Sequence, residues 1–160
     1  MNSIFELFKI SIGPSSSHTV GPMSAATRFC NSLTDNNIIH STVKIYVELF
    51  GSLAYTGKAH GTDRALIMGL HGYTPKNVNQ DLINEIIDKE KTKNSVKILN
   101  QYSISFNLDN DIVYNTKDKP QYHSNALHFF AINSRGDKIF SKTYYSVGGG
   151  TVISENHIDS

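Results

Sequence analysis

The chain has 160 residues, 39% of them hydrophobic and 18% charged, which suits one globular domain with its own core. Its net charge of +1 gives no electrostatic ground for nucleic-acid or membrane binding. The single cysteine, Cys30, excludes an internal disulfide and a cysteine-held iron–sulfur or zinc centre within the chain. Its place in an apolar pattern reads as a small buried hydrophobe. No run approaches bilayer-spanning length, and the N-terminus lacks a basic-then-apolar leader, so the cytoplasm is the expected location.

Ser3 is placed to cap a short helix carrying Ile4, Phe5, Leu7, Phe8 and Ile10, and Gly13-Pro14 breaks it. Ser15-Ser16-Ser17-His18-Thr19 follows without interruption. Directly behind it, Val20, Met23, Ala26, Phe29, Cys30 and Leu33 recur at helical spacing, which predicts a helix over 19–33. Hydroxyls are favoured at such a start because they accept hydrogen bonds from the unpaired N–H groups of the first turn, and Pro22 costs little there. One or two hydroxyls suffice for a cap, and this run supplies four. The surplus beside an imidazole marks a place to hold a small anion and move a proton. A plain capped helix with a spare histidine is the alternative.

A turn is expected at Thr34–Asn37, then a strand over 43–50, where Val43, Ile45, Val47 and Leu49 alternate with Lys44, Tyr46, Glu48 and Phe50. The next stretch, Gly51 to Asp63, reads as a small-residue connection leading into a helix over 62–70, which Thr62 or Asp63 can cap. A third helix is expected over 80–91, with acids early and lysines late in keeping with the helix dipole. The lysines between Lys89 and Lys97 read as a solvated helix end rather than a phosphate-binding patch. Strands follow at 96–99, 103–107, 112–114, 127–132 and 138–147. Asp109–Asp111 and Ser134–Asp137 are read as hairpin turns, and the tail from Ser154 as polar and disordered. Neither repeat nor linker is visible. The expected fold class is therefore α/β, an α+β sandwich of one mixed sheet with helices packed on it.

Two further stretches are site candidates. Gly57-Lys58-Ala59-His60-Gly61-Thr62-Asp63 lies before a helix start that offers N–H donors to a carboxylate or phosphate, although its glycine–lysine spacing is not that of a P-loop. A flexible connection with a surface histidine is the alternative. Ser146-Val147-Gly148-Gly149-Gly150 allows close backbone approach, but a strand running out into a loose tail is the plainer reading. A Ser16–His60–Asp63 triad can be drawn on paper, yet no nucleophile-elbow sequence supports it. The seven histidines lack the spacing of a helical metal site, so no metal ligand is assigned.

Taken together, Ile12 to Met23, Gly57 to Asp63 and Tyr144 to Gly150 resemble the signature segments of bacterial iron–sulfur L-serine dehydratases (L-serine ammonia-lyases). Ser3–Ile10, Tyr46–Thr56 with Phe50-Gly51-Ser52-Leu53-Ala54, and Thr62–Leu70 extend the resemblance, which is weak over 76–120. The chain departs from the family at His123-Ser124-Asn125-Ala126, where His-Pro-Asn-Gly is usual, at Ala59 and at Thr151.

The resemblance implies a beta domain over 1–153, similar to the allosteric substrate-binding domain of phosphoglycerate dehydrogenase. It also implies a separate C-terminal domain whose cysteines hold a four-iron, four-sulfur cluster. The implied reaction converts L-serine to pyruvate and ammonia without pyridoxal phosphate, in a homodimer with no nucleic-acid or membrane partner. Ser15, Ser16, Ser17 and Thr19, with Gly61, Thr62 and Asp63, are then the substrate-binding candidates. His18 and His60 are the catalytic ones, either able to take or relay the proton. The chain alone is expected to be inactive. A regulatory serine- or small-anion-binding module without catalytic residues is the other reading.

Overall fold

The computed structural model describes residues 17–155, with His60 described by its backbone alone. The helix expected at 3–10, and the candidates Ser15 and Ser16, lie outside the described residues. The helices are α1 (Val20–Asp35), α2 (Ser52–His60), α3 (Thr62–Leu70) and α4 (Gln80–Lys93). The strands are β1 (Lys44–Phe50), β2 (Ser95–Ile98), β3 (Tyr102–Ser105), β4 (Ile112–Asn115), β5 (Ala126–Ile132), β6 (Lys138–Gly148) and β7 (Thr151–Ser154).

Strand β1 organises the sheet. Its apolar set, Ile45, Val47 and Leu49, is fully buried, while Lys44, Tyr46, Glu48 and Phe50 point to the other, half-covered face. One edge of β1 pairs antiparallel with β5, setting Glu48 opposite His128. The other edge pairs parallel with two successive strands, Lys44 facing Ser105 of β3 and Val47 facing Ile112 of β4. The full order is β2-β3-β1-β5-β6-β7, with β4 paired to β1, giving the expected mixed α/β fold. Between β3 and β4 the chain does not reverse, so Asp109–Asp111 is no hairpin turn. The Asn107 side-chain oxygen accepts the N–H groups of Asp109 and Asn110, and Asp111 accepts that of Asn107 at 2.7 Å while pairing with Lys44 at 3.0 Å. These bonds close a local loop that returns the chain to the same edge.

The helices cover the Ile45–Val47–Leu49 face. From α1, Phe29 stacks on Phe129 of β5 at 5.2 Å between ring centroids. Gly69 of α3 lies so near α1 that a methyl there would collide with the Met23 carbonyl, and Thr27 donates to the Gly69 carbonyl at 2.8 Å. The two helices thus pack on each other and on the sheet, α1 over β5, β6 and β7 and α3 over β2.

Two further expectations are corrected. The stretch read as a connection after β1 is helix α2, whose Leu53 and Ala54 are buried. Its small residues suit close packing, since a side chain at Gly57 would press on the Tyr114 ring. The glycine run near the C-terminus is not the start of a loose tail. It turns a hairpin whose second strand, β7, extends through Ser154 and accepts a bond from Arg28 to the Val152 carbonyl at 2.9 Å.

Candidate active site

The carboxyl end of β1 is where four segments meet. Ser17–Thr19 forms a turn leading into α1, and His18 and Thr19 are buried. Thr19 is the N-cap residue of α1 but makes no side-chain capping bond, so the expected capping role does not hold for it. Thr62, the first residue of α3, donates its hydroxyl to the His18 carbonyl at 2.6 Å. Ser146 of β6 donates to the Ser17 carbonyl at 2.7 Å, and its N–H donates to the Asn125 carbonyl at 2.9 Å. The backbone carrying His18 is thus clamped from both sides by buried hydroxyls.

The His18 ring is set by hydroxyls from α2. Its Nε2 lies 3.1 Å from Ser52 Oγ and 3.3 Å from Thr56 Oγ1, and its Nδ1 lies 2.9 Å from Ser17 Oγ. The proton on each α2 hydroxyl is already committed. Ser52 donates to Asn125 Oδ1 at 2.8 Å, and Thr56 donates to the Ser52 carbonyl at 2.8 Å. Asn125 is fixed in that orientation because its Oδ1 also accepts the Ser52 backbone N–H at 3.0 Å. Both α2 hydroxyls therefore present lone pairs to Nε2, which must carry a hydrogen. In the neutral ring, Nδ1 is then the proton-accepting atom, and it faces Ser17.

The joint between α2 and α3 is a single residue. Gly61 ends one helix and begins the next at φ 78°, a left-handed conformation that favours glycine. Gly61 itself is the N-cap of α3, so neither Thr62 nor Asp63 caps it as expected. Thr62 spends its hydroxyl on His18, while Asp63 accepts the Arg64 N–H at 2.9 Å. His60 is the last residue of α2, two positions before Thr62, so its backbone belongs to the same cluster. Below the joint, Tyr114 of β4 carries a buried hydroxyl with no hydrogen-bond partner among the described residues, beneath the Lys58 ammonium at 5.4 Å from the ring centroid. Burial first, then Asp63 and Asp109, pushes this phenol above its ordinary range.

Among the sequence candidates, the fold brings together Ser17, His18, Thr19, Gly61 and Thr62, with Asp63 one residue further along α3 and the backbone of His60 at the end of α2. The Ser146 stretch joins them. Sequence reasoning missed Ser52, Thr56 and Asn125. The missed signal was the helix itself: once 52–60 is helical, Ser52 and Thr56 fall one turn apart on one face. Asn125 sits in the 123–126 departure from the family pattern. It is braced locally, since its N–H donates to His123 Nδ1 at 3.0 Å.

Fold and site define a mixed α/β domain with a buried histidine held by hydroxyls at the carboxyl end of its central strand. The chain belongs to the serine dehydratase beta chain family, which it matches over residues 3–157. It is 40% identical over 156 residues to the L-serine dehydratase of Streptomyces coelicolor, covering 98% of this chain and 34% of that protein. L-serine dehydratase 1 of Escherichia coli is 41% identical over 159 residues, with 98% of this chain and 34% of its own length covered. The L-serine dehydratase of Helicobacter pylori strain 26695 is 40% identical over 158 residues, with 99% and 34% covered. The chain thus spans about a third of the length of the curated relatives it matches. No helix among the described residues is long and apolar enough to cross a membrane.

Proposed function

We propose that the chain is the beta part of an L-serine ammonia-lyase, acting on L-serine to give pyruvate and ammonia without pyridoxal phosphate. The observation that carries this reading is the His18 ring, held by Ser17, Ser52 and Thr56, on a backbone clamped by Thr62 and Ser146. Every one of these residues falls in a stretch that resembles the family's signatures, and the relatives are named L-serine dehydratase.

In this reading Ser15, Ser16, Ser17 and Thr19, with the start of α1, hold the substrate carboxylate, because N–H donors and hydroxyls favour a small anion. Gly61, Thr62 and Asp63 line the same side. His18, through Nδ1, or His60 takes the proton from the substrate's α-carbon.

The iron–sulfur cluster implied by the resemblance does not fit this chain. Its one thiol, Cys30, is fully buried in the core, and burial pushes it well above the ordinary thiol range. Among the described residues, no group of three His, Cys, Asp or Glu side chains can share a metal. In this reading a C-terminal domain of a longer protein, a cytoplasmic homodimer, holds the cluster, and loss of the substrate hydroxyl is assigned to that part.

His18→Ala and His60→Ala in the full-length enzyme test the reading, with iron measured beside turnover. Lost turnover with unchanged iron supports it. Wild-type rates in both variants overturn it and leave the regulatory serine- or small-anion-binding module. The 160-residue chain by itself, after anaerobic reconstitution, should hold no stoichiometric iron and release no pyruvate from serine.

A further inference from the structure

At the other end of α3 from Thr62, the fold assembles a cleft that the lyase reading does not use. Helix α3 has nine residues, so the two places are roughly 14 Å apart along its axis. The cleft has a volume of about 400 Å³ and lies between α4 and the β2–β3 hairpin, with His71, Tyr73, Lys89, Lys93, Lys97 and Asn100 on its walls. Small-ligand sites run from about 300 to 1,000 Å³. We propose that this cleft binds a small anion bearing a phosphate or carboxylate group.

Three lysines line it from two different elements, Lys89 and Lys93 from α4 and Lys97 from β2, beside the carboxylate of Glu85 on α4. Lys89 pairs with Glu85 at 3.2 Å, whereas Lys93 and Lys97 have no ion-pair partner among the described residues. Favourable alignment with the α4 dipole accounts for Lys93, at the helix end, but not for Lys97 on a strand. The lysine run that reads as a solvated helix end in the sequence therefore faces a wall that only the fold supplies.

That wall is fixed. The Leu99 N–H donates to the Leu70 carbonyl at 2.9 Å, which pins the hairpin turn to the end of α3. The Lys97 N–H reaches His71 Nε2 at a long 3.5 Å, so Nδ1 carries the hydrogen and donates to Asn100 Oδ1 at 3.2 Å. His71 is held below its ordinary range, by burial first. The Asn100 bond acts in the opposite direction, and the Lys97 and Lys89 charges lower it further. A bound anion offsets those charges, so His71 reports on occupancy. The inference does not depend on the lyase reading.

The test is a histidine-imidazole NMR titration of the chain with inorganic phosphate, and separately with malonate, each against chloride at constant ionic strength. Occupancy should move the His71 titration midpoint up by about half a pH unit and saturate, while His128, which does not line the cleft, stays unchanged. Whichever anion saturates at lower concentration identifies the preferred headgroup. The double variant Lys93→Gln/Lys97→Gln, with the His128 signal as a check on its fold, should bind about tenfold more weakly or worse. A His71 response equal in phosphate, malonate and chloride overturns the proposal, as does unchanged binding by the double variant.

Discussion

Asn125 Oδ1 accepts both the backbone N–H and the hydroxyl of Ser52, at 3.0 and 2.8 Å. This pair decides the tautomer of His18, because it removes the Ser52 proton from any bond to Nε2. Asn125→Ala should release that proton, let Ser52 donate to Nε2 and shift the hydrogen toward Nδ1. Imidazole ¹⁵N shifts of His18 read the change directly. In the full-length enzyme proposed above, turnover should fall by about tenfold or more. Asn125→Asp keeps an acceptor for both Ser52 donors and should preserve the tautomer. An unchanged His18 spectrum in Asn125→Ala would remove the argument for Nδ1 as the accepting atom.

The 2.6 Å bond from Thr62 to the His18 carbonyl joins two buried groups. Thr62→Val keeps the shape and deletes the donor, leaving a buried carbonyl short of its partner. The expected loss of stability is about 1–3 kcal/mol, read by urea denaturation. Thr62→Ser keeps the hydroxyl and loses one methyl, a cost of about 1 kcal/mol. If Ser proves worse than Val, the methyl rather than the hydrogen bond holds the joint.

Much of this architecture is legible in the chain. Strand β1 shows itself by strict alternation from Val43 to Phe50, and α3 by its apolar run behind Gly61, because each element's period matches its one buried face. Helix α2 does not show itself. Its glycine and small side chains are the mark of a loop locally, and only packing against β1 and Tyr114 makes them suit a helix. The same holds for Gly148–Gly150, where the hairpin depends on β7 finding β6. The site was legible as three stretches with unusual hydroxyl, histidine and glycine content. Its geometry was not, because Ser52 and Asn125 are 73 positions apart and meet only through the fold.

Gly51 connects β1 to α2 at φ 63° and ψ −142°, where a side chain is strained, and a methyl there would run into the Ser124 carbonyl. Gly51→Ala should therefore push the 124–125 loop away from Ser52 and break both bonds to Asn125. A loss of about 3 kcal/mol or more is expected from strain and collision together, measured by chemical denaturation. In any folded fraction, the His18 imidazole signals should move as they do in Asn125→Ala. Wild-type stability would mean that the loop gives way freely and does not set the ring.

Glu90 supplies the last prediction. It is 1% exposed, yet among the described residues only one of its oxygens is used, accepting the Leu108 N–H at 3.2 Å, while Oε2 is buried without a partner. Burial pushes its carboxyl above the ordinary range. The Leu108 bond opposes this, Asp109 and Asp111 add to the rise, and Lys91 opposes it. A carboxyl raised by folding is more readily protonated in the native state than in the unfolded one. Stability therefore falls as pH rises from the ordinary carboxylate range through the raised native value, and it is recovered on acidification through the same window. Glu90→Gln removes the buried charge and keeps an oxygen for Leu108. At neutral pH it should stabilise the chain by an amount on the order of 1 kcal/mol, visible as a higher Tm. Its advantage should shrink as pH is lowered through that window, because the native carboxyl then becomes neutral as well. A Glu90→Gln variant less stable than the parent at neutral pH, or one whose advantage does not change with pH, would show that the buried carboxylate is not the source of the penalty.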